Sequence, residues 1–198
     1  MSIGLTLAVI LNKPSFPLKR VYRVLLILPW AMPTYITALI WKGMFHKQFG
    51  AINAFIKLLG FEPISFFNNF WTAFFANVAT NTWLGFPFMM VICLGALQSI
   101  PADLYEAAQI DGAGKWQQFR NITMPLLKPA LFPAIILGTI WTFNMFNVIY
   151  LVSNGEPNRS TEILITQAYR FAFEKLNWGY AAAYSILIFL ILMAYGIN

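Results

Sequence analysis

Every charged residue of this 198-residue chain falls in one of four intervals, 13–23, 42–62, 103–128 and 156–175, and the sequence between them is almost wholly apolar. That partition restricts the fold more than any motif does. Residues 24–41, 70–97, 130–152 and 180–197 each approach or exceed the ~20 residues that carry a helix across ~30 Å of hydrocarbon, whereas 1–11 supplies about half of one. Backbone groups in lipid must be paired internally, so a span is either a helix or part of a closed barrel. Barrel strands need ~10-residue segments of strict alternation, and these runs do not alternate. The expected fold is all-α: one transmembrane domain over 1–198, a polytopic transmembrane helical bundle with five crossings, the first incomplete. No basic residue precedes the first run, no small-x-small cleavage site follows it, and Asn12-Lys13-Pro14 ends it. It reads as the tail of a helix rather than a signal peptide. The last run also stops without basic anchors, so the chain reads as truncated at both ends.

Hydrophobic residues make up 59% of the chain and charged ones 10%, against ~45–50% and ~25% in soluble domains. The net charge of +6 is spread over loops, which describes a membrane surface better than a nucleic-acid site. Lys13, Lys19, Arg20 and Arg23 share the first loop with no acid, which places that loop on the cytosolic side of the membrane. Two crossings later, 98–129 is then cytosolic as well. Between spans, Phe49, Ile52, Phe55, Ile56 and Leu59 form one helical stripe, with Gln48, Asn53 and Lys57 off it and Gly60 as a stop. This suits a helix lying on the outer membrane surface. Trp30, Trp41, Trp71 and Trp178 near run ends read as interfacial anchors.

Catalysis has no visible basis. His46 is the one histidine and reads as a solvated loop residue, and Cys93 is the one cysteine, in an apolar run, where packing is its ordinary role. No metal cluster, acidic pair within a span or Gly-Lys-Ser/Thr phosphate loop occurs, so no cofactor is expected on this chain. The cytosolic loop 98–129 carries more pattern than a connector needs. Pro101 suits a helix start, Asp103 favours its positive end, and Gly112 with Gly114 supply the stop. Leu104, Ala107, Ala108 and Asp111 then share a face, and the alanines leave room for another surface to approach. Glu-Ala-Ala alone means little, since both residue types favour any helix.

The whole pattern is specific. Glu106-Ala107-Ala108, then Gly112, then nine residues before Ile122-Thr123-Met124-Pro125, resembles the loop of the membrane-spanning subunits of ATP-binding cassette importers, with Met124 in place of leucine. The likeness extends over nearly the whole chain and is most specific for maltose-type sugar permeases. It is carried by Tyr22-Arg23-Val24-Leu25-Leu26-Ile27-Leu28-Pro29, Asn81-Thr82-Trp83-Leu84-Gly85-Phe86-Pro87, Asp103-Leu104-Tyr105-Glu106-Ala107, Asp111-Gly112-Ala113-Gly114 and Gly179-Tyr180-Ala181-Ala182-Ala183. Ser153-Asn154-Gly155-Glu156-Pro157 resembles a Gly-Gly-Pro turn with Glu at its second glycine. The resemblance implies the type I importer permease fold and a helix docking into a cytosolic ATPase dimer that uses ATP and Mg. The Glu matching Glu106 makes a charged contact there. It also implies a second permease subunit, an extracytoplasmic sugar-binding protein and a carbohydrate held midway through the membrane.

Polar and aromatic residues within spans are where cargo contacts would lie. Trp141, Asn144 and Met145 can share a helical face that Asn147 extends, offering a ring to stack on a sugar and amides for hydroxyls; packing between helices is the plainer role for the same residues. The resemblance adds Leu84, Gly85 and Phe88, the last in place of a tyrosine. It also adds Gly138, Thr142 and Met145, at positions that are polar in maltose-binding members. Those departures point away from maltose itself. A secondary transporter or channel is the alternative, with Pro29, Pro33 and Pro87 breaking helices around a site. Against it, no span holds a central charge for a proton relay. A membrane scaffold without transport is a third class, in which the Trp141 face only packs.

Overall fold

The computed structural model describes residues 1–13 and 15–197, so the helix-ending role read for Pro14 lies outside the described residues. Those residues form helices and connectors with no strand. The helices are α1 (Ser2–Asn12), α2 (Lys19–Ala31), α3 (Thr34–Met44), α4 (Ala51–Leu58), α5 (Phe70–Gln98), α6 (Ala102–Ile110), α7 (Lys115–Gln118), α8 (Met124–Phe143), α9 (Phe146–Val148), α10 (Leu164–Tyr169) and α11 (Trp178–Ile197). Among the described residues three helical runs are long and apolar enough to cross a membrane: Phe70–Gln98, Lys115–Ser153 and Trp178–Gly196. The chain divides into two compact units, Met1–Ala31 with Gly85–Thr139 and Met32–Leu84 with Ile140–Asn198.

Two expectations need correction. The run 24–41 is not one helix, because α2 stops at Ala31 and α3 begins after Pro33, whose ψ of 126° is extended. Pro33 has no N–H to continue the ladder and pushes Met32 out of the α region. Pro29, by contrast, sits inside α2 and Pro87 inside α5. The second correction concerns 98–129, whose latter half is helical: α7 passes into α8 through one widened turn, Phe119–Thr123. That turn lies just before Pro125, which offers no N–H to Asn121 and whose ring would clash with its carbonyl. Widening the ladder accommodates both.

In the first unit the core lies between α1, the second half of α5 and α8. Leu127, Leu131 and Ala134 recur at helical spacing and pack with Met90, Cys93, Leu94 and Leu97, alongside Ala8 and Leu11. Cys93 is thus a packing residue. A Cβ on Gly4 would stand 2.8 Å from both Met89 Cβ and Met90 N, so α1 meets the α5 backbone directly.

The second unit is built on Phe45, which is buried with its ring 4.8 Å from that of Phe66, and on Ala38, Ala76, Leu84, Val148 and Val152. Here the stripe on α4 divides. Ile52 and Ile56 pack toward this core while Phe49, Phe55 and Leu59 are exposed. Asn53, read as lying off the buried side, is 1% exposed. Its amide donates to the carbonyls of His46 and Ile64 and its Oδ1 accepts from Ile64 N at 2.8 Å, so it clamps the segment after α4 as a strand partner would. Gly60, at φ 84°, ends the helix as expected, with Phe61 N bonded back to Ile56 O. Asn53→Ala strands two backbone groups of Ile64 and is expected to lower stability by about 2–3 kcal/mol, read as a drop in thermal midpoint of the solubilised protein.

Candidate functional site

The loop between α5 and α8 is built so that α6 projects from its unit while staying tied to it. No residue of α6 is buried. Tyr105 and Ala108, one helical turn apart, are half-buried, and Tyr105 Oη lies 2.9 Å from Thr123 Oγ1 in the widened turn. Thr123 is itself buried. The helix ends in a Schellman pair, Ala113 N to Ala108 O at 2.8 Å and Gly112 N to Gln109 O at 3.0 Å, with Gly112 at φ 78°. Gly112 alone is the stop. Gly114 has φ −68° and ψ 165°, ordinary extended backbone, and opens α7 with its N–H on Gln117 Oε1. Gln118 Nε2 closes the turn onto Ala113 O at 2.9 Å.

Glu106, Leu104, Ala107 and Asp111 are exposed, while Ala108 leans inward with Tyr105. Two further apolar side chains that the sequence reading passed over stand out on this loop, Ile110 at 87% and Trp116 at 71% exposed. The signal for them was available, as large apolar residues in a charge-bearing interval with no periodic partner. Tyr105 was missed for another reason: its tether to Thr123 depends on the widened turn.

The other named residues belong partly to one unit and partly to the other. In the first unit, Phe88 packs at the margin of the core with its ring 6.4 Å from Trp30. Gly85 and Gly138 each have nothing within 4 Å of where a Cβ would stand, so the space beside both is open. In the second unit, Leu84 is buried in the core and Met145 packs against it. The single face expected to carry Trp141, Asn144, Met145 and Asn147 does not run through. Helix α8 stops at Phe143, and α9 begins only after Met145, whose φ and ψ are −76° and 69°. At the stop Ile140 O accepts both Asn144 N, at 3.2 Å, and Asn144 Nδ2, at 3.0 Å, and Met145 N turns to Thr142 O at 3.2 Å instead of continuing the ladder to Trp141. Trp141 and Thr142 are exposed on the last turn of α8, and Asn147 is half-buried on α9. Asn81 on α5, not singled out from sequence, reaches Thr142 Oγ1 at 3.4 Å.

Beyond α9 the segment from Asn154 to Glu174 is organised by a buried cation. Arg170 is 7% exposed. Its Nε pairs with Glu162, Nη1 forks onto both oxygens of Glu174 at 2.8 and 2.9 Å, and Nη2 donates to Asn154 Oδ1 at 2.8 Å. Gln167 Nε2 donates to the other oxygen of Glu162. Burial works against the guanidinium's charge, but the hydrogen bond to Glu174 and the charges of both glutamates outweigh it and hold Arg170 above its ordinary range. Gly155, at φ 81°, leaves the space that Glu162 fills, since a Cβ there would meet Glu162 Cγ. The charges of 156–175 are therefore not all solvated loop charges, as their spacing suggested.

Over residues 1–198 the chain matches the family described as binding-protein-dependent transport system inner membrane component. The chain belongs to this family. Like other members of an inner membrane component family it is a multi-pass membrane protein. It is 43% identical over 209 aligned residues to the maltose/maltodextrin transport system permease protein MalF of Escherichia coli strain K12, covering 100% of this chain and 40% of that protein. The MalF of Klebsiella aerogenes is 42% identical over the same share of each chain. The chain thus spans about two fifths of the length of the curated relatives it matches. Among solved structures, a bacterial alginate transporter of the ATP-binding cassette class, in complex with an alginate pentasaccharide-bound periplasmic protein, superposes with a TM-score of 0.88. The two are 22% identical, and the match covers 97% of this chain and 67% of that one. That likeness shows the permease fold.

Proposed function

We propose that this chain is the membrane-spanning part of an ATP-driven carbohydrate importer in the inner membrane of a prokaryote. In this reading it supplies half of the translocation path and binds no cofactor. ATP and Mg act on a cytosolic ATPase dimer that grips α6. A second permease subunit completes the path, and an extracytoplasmic binding protein delivers the sugar. The observation that carries the reading is α6 itself, a helix with Glu106, Ala107 and the bare Ile110 turned outward and one side chain, Tyr105, anchoring it. A connector without a partner has no use for such exposure. The relatives named for maltose and maltodextrin, and the one named for alginate, support a saccharide cargo.

The break after Phe143 supports the cargo role of its surroundings, because transporters place interrupted helices where backbone and side-chain polar groups meet substrate. Trp141, Thr142, Asn144 and Asn147 stand around that break, Met145 forms it, and Leu84, Gly85, Phe88 and Gly138 complete the set assigned to the pathway. The test is uptake by the full-length protein, reconstituted with its partners in proteoliposomes. Saccharide entry should require ATP and the ATPase, whereas uptake surviving removal of the ATPase would establish the secondary-transporter alternative.

Tyr105 is a positioning residue in this scheme. Tyr105→Phe removes one hydrogen bond to a buried hydroxyl, worth about 1 kcal/mol, and loosens α6 without unfolding it. Saccharide carried per ATP hydrolysed is expected to fall about fivefold with the yield of assembled complex unchanged. A drop in yield at constant stoichiometry would make the tether merely structural.

A further inference from the structure

The second unit contains a cavity of about 480 Å³ that the residues assigned to the pathway touch only at Thr142. It lies at the outer end of α8, between that helix, the 155–163 segment, α10 and the first turns of α11. Phe143, Phe171 and Tyr184 form its aromatic walls, and Thr142, Glu162 and Gln167 its polar ones. The volume falls inside the ~300–1,000 Å³ of small-molecule sites, which combine apolar walls with a few placed polar groups in this manner.

Its walls are held rigidly. Phe171 stacks on Tyr184 at 5.4 Å and 22°, and on Tyr180 at 5.2 Å and 18°, giving a flat aromatic shelf. Glu162 is fixed by Arg170 from behind and by Gln167 from the side, its side chain only 2% exposed. Because the Gln167 amide donates to Glu162, its Oε1 keeps acceptor capacity for a hydroxyl, and Thr142 can both donate and accept. Aromatic faces beside hydroxyl-matching groups suit the C–H face and the rim of a pyranose ring.

We propose that this cavity is a second saccharide subsite, which takes a sugar ring of an oligosaccharide on its way to the break in α8. The assignment rests on the carbohydrate-import reading. It is tested in proteoliposomes holding the full-length protein with its ATPase, second permease and binding protein, by comparing uptake of maltotriose with that of maltose. Gln167→Ala and Tyr184→Ala should each lower the maltotriose-to-maltose rate ratio by about fivefold, the effect of losing one polar or stacking contact. Loss of folded protein lowers both rates together and leaves the ratio alone, so an unchanged ratio overturns the subsite. Should another saccharide be the cargo, its di- and trisaccharide forms replace maltose and maltotriose in the ratio; if the unaltered protein carries no member of a panel of di- and trisaccharides while ATP is hydrolysed, the carbohydrate reading fails and the subsite with it.

Discussion

Arg170→Met is expected to cost about 3–5 kcal/mol, because it removes the cation that compensates two carboxylates and leaves Glu162 buried without its partner. The methionine fills much of the same volume, so the loss is electrostatic rather than a cavity. Three segments are released together: the Asn154 turn loses the donor to its Oδ1, Glu162 loses its ion pair, and the turn after α10 loses the fork onto Glu174. The consequence should be local before it is global, with protease cutting between 154 and 175 at temperatures where the rest of the solubilised protein stays folded. Arg170→Lys keeps a charge but cannot reach three acceptors from one planar group, and it is expected to recover only part of the loss. Adding Glu162→Gln to Arg170→Met should recover more, since an amide buries at smaller cost than a lone carboxylate and can still meet Gln167. If the double variant is as unstable as the single one, the buried charge is not what Arg170 compensates.

The same cluster marks where reading the sequence stops. Arg170 was visible only as one of several charges in an apolar-flanked interval, and charges in such intervals are ordinarily solvated. Its burial follows from the turn at Asn154 and Gly155, which returns the chain so that residues far apart in sequence face one guanidinium. Local pattern carries no trace of that return. The helices themselves were legible because lipid leaves a backbone so few options, and the apolar interval 70–97 coincides with α5 almost residue for residue. The interruptions were legible only in part. Pro33 announces its break by chemistry, while the end of α8 at Phe143 carries no such mark: Ile140 O takes both donors of Asn144, and Met145 N turns back to Thr142 O. Asn53 inverts the usual inference: a polar residue off an apolar stripe is buried because the backbone it satisfies, at His46 and Ile64, is buried with it. In the loop around α6, the position of the helix and the need for glycine at 112 were readable from residue type. The tether from Tyr105 was not, because it depends on a widened turn that Pro125 imposes on residues before it.

Gly112→Val is expected to have the larger effect of any single change on α6, and Gly114→Ala almost none, although the two glycines look equivalent in sequence. Residue 112 sits at φ 78°, where an L side chain costs about 1–2 kcal/mol and a β-branched one more. Relief of that strain means abandoning the Schellman bonds to Ala108 and Gln109, after which nothing directs the chain from α6 into α7 at the present angle. In the importer reading proposed above, the exposed face of Glu106, Ala107 and Ile110 would then meet the ATPase misaligned, and ATP-driven uptake should fall more than tenfold while each ATPase keeps its basal hydrolysis. Residue 114 has ordinary extended backbone, and a Cβ there approaches only Gln117 Oε1, at 3.7 Å. Glu106→Ala separates geometry from contact. It leaves the turn intact and removes one exposed charge, so its loss of coupling should be smaller than that of Gly112→Val and should shrink further as salt screens the partner's field. Uptake and hydrolysis measured together on the three variants decide the matter: equal coupling in Gly112→Val and Gly114→Ala would mean that the turn at Gly112 does not aim the helix, and that α6 is not the point at which ATP energy enters.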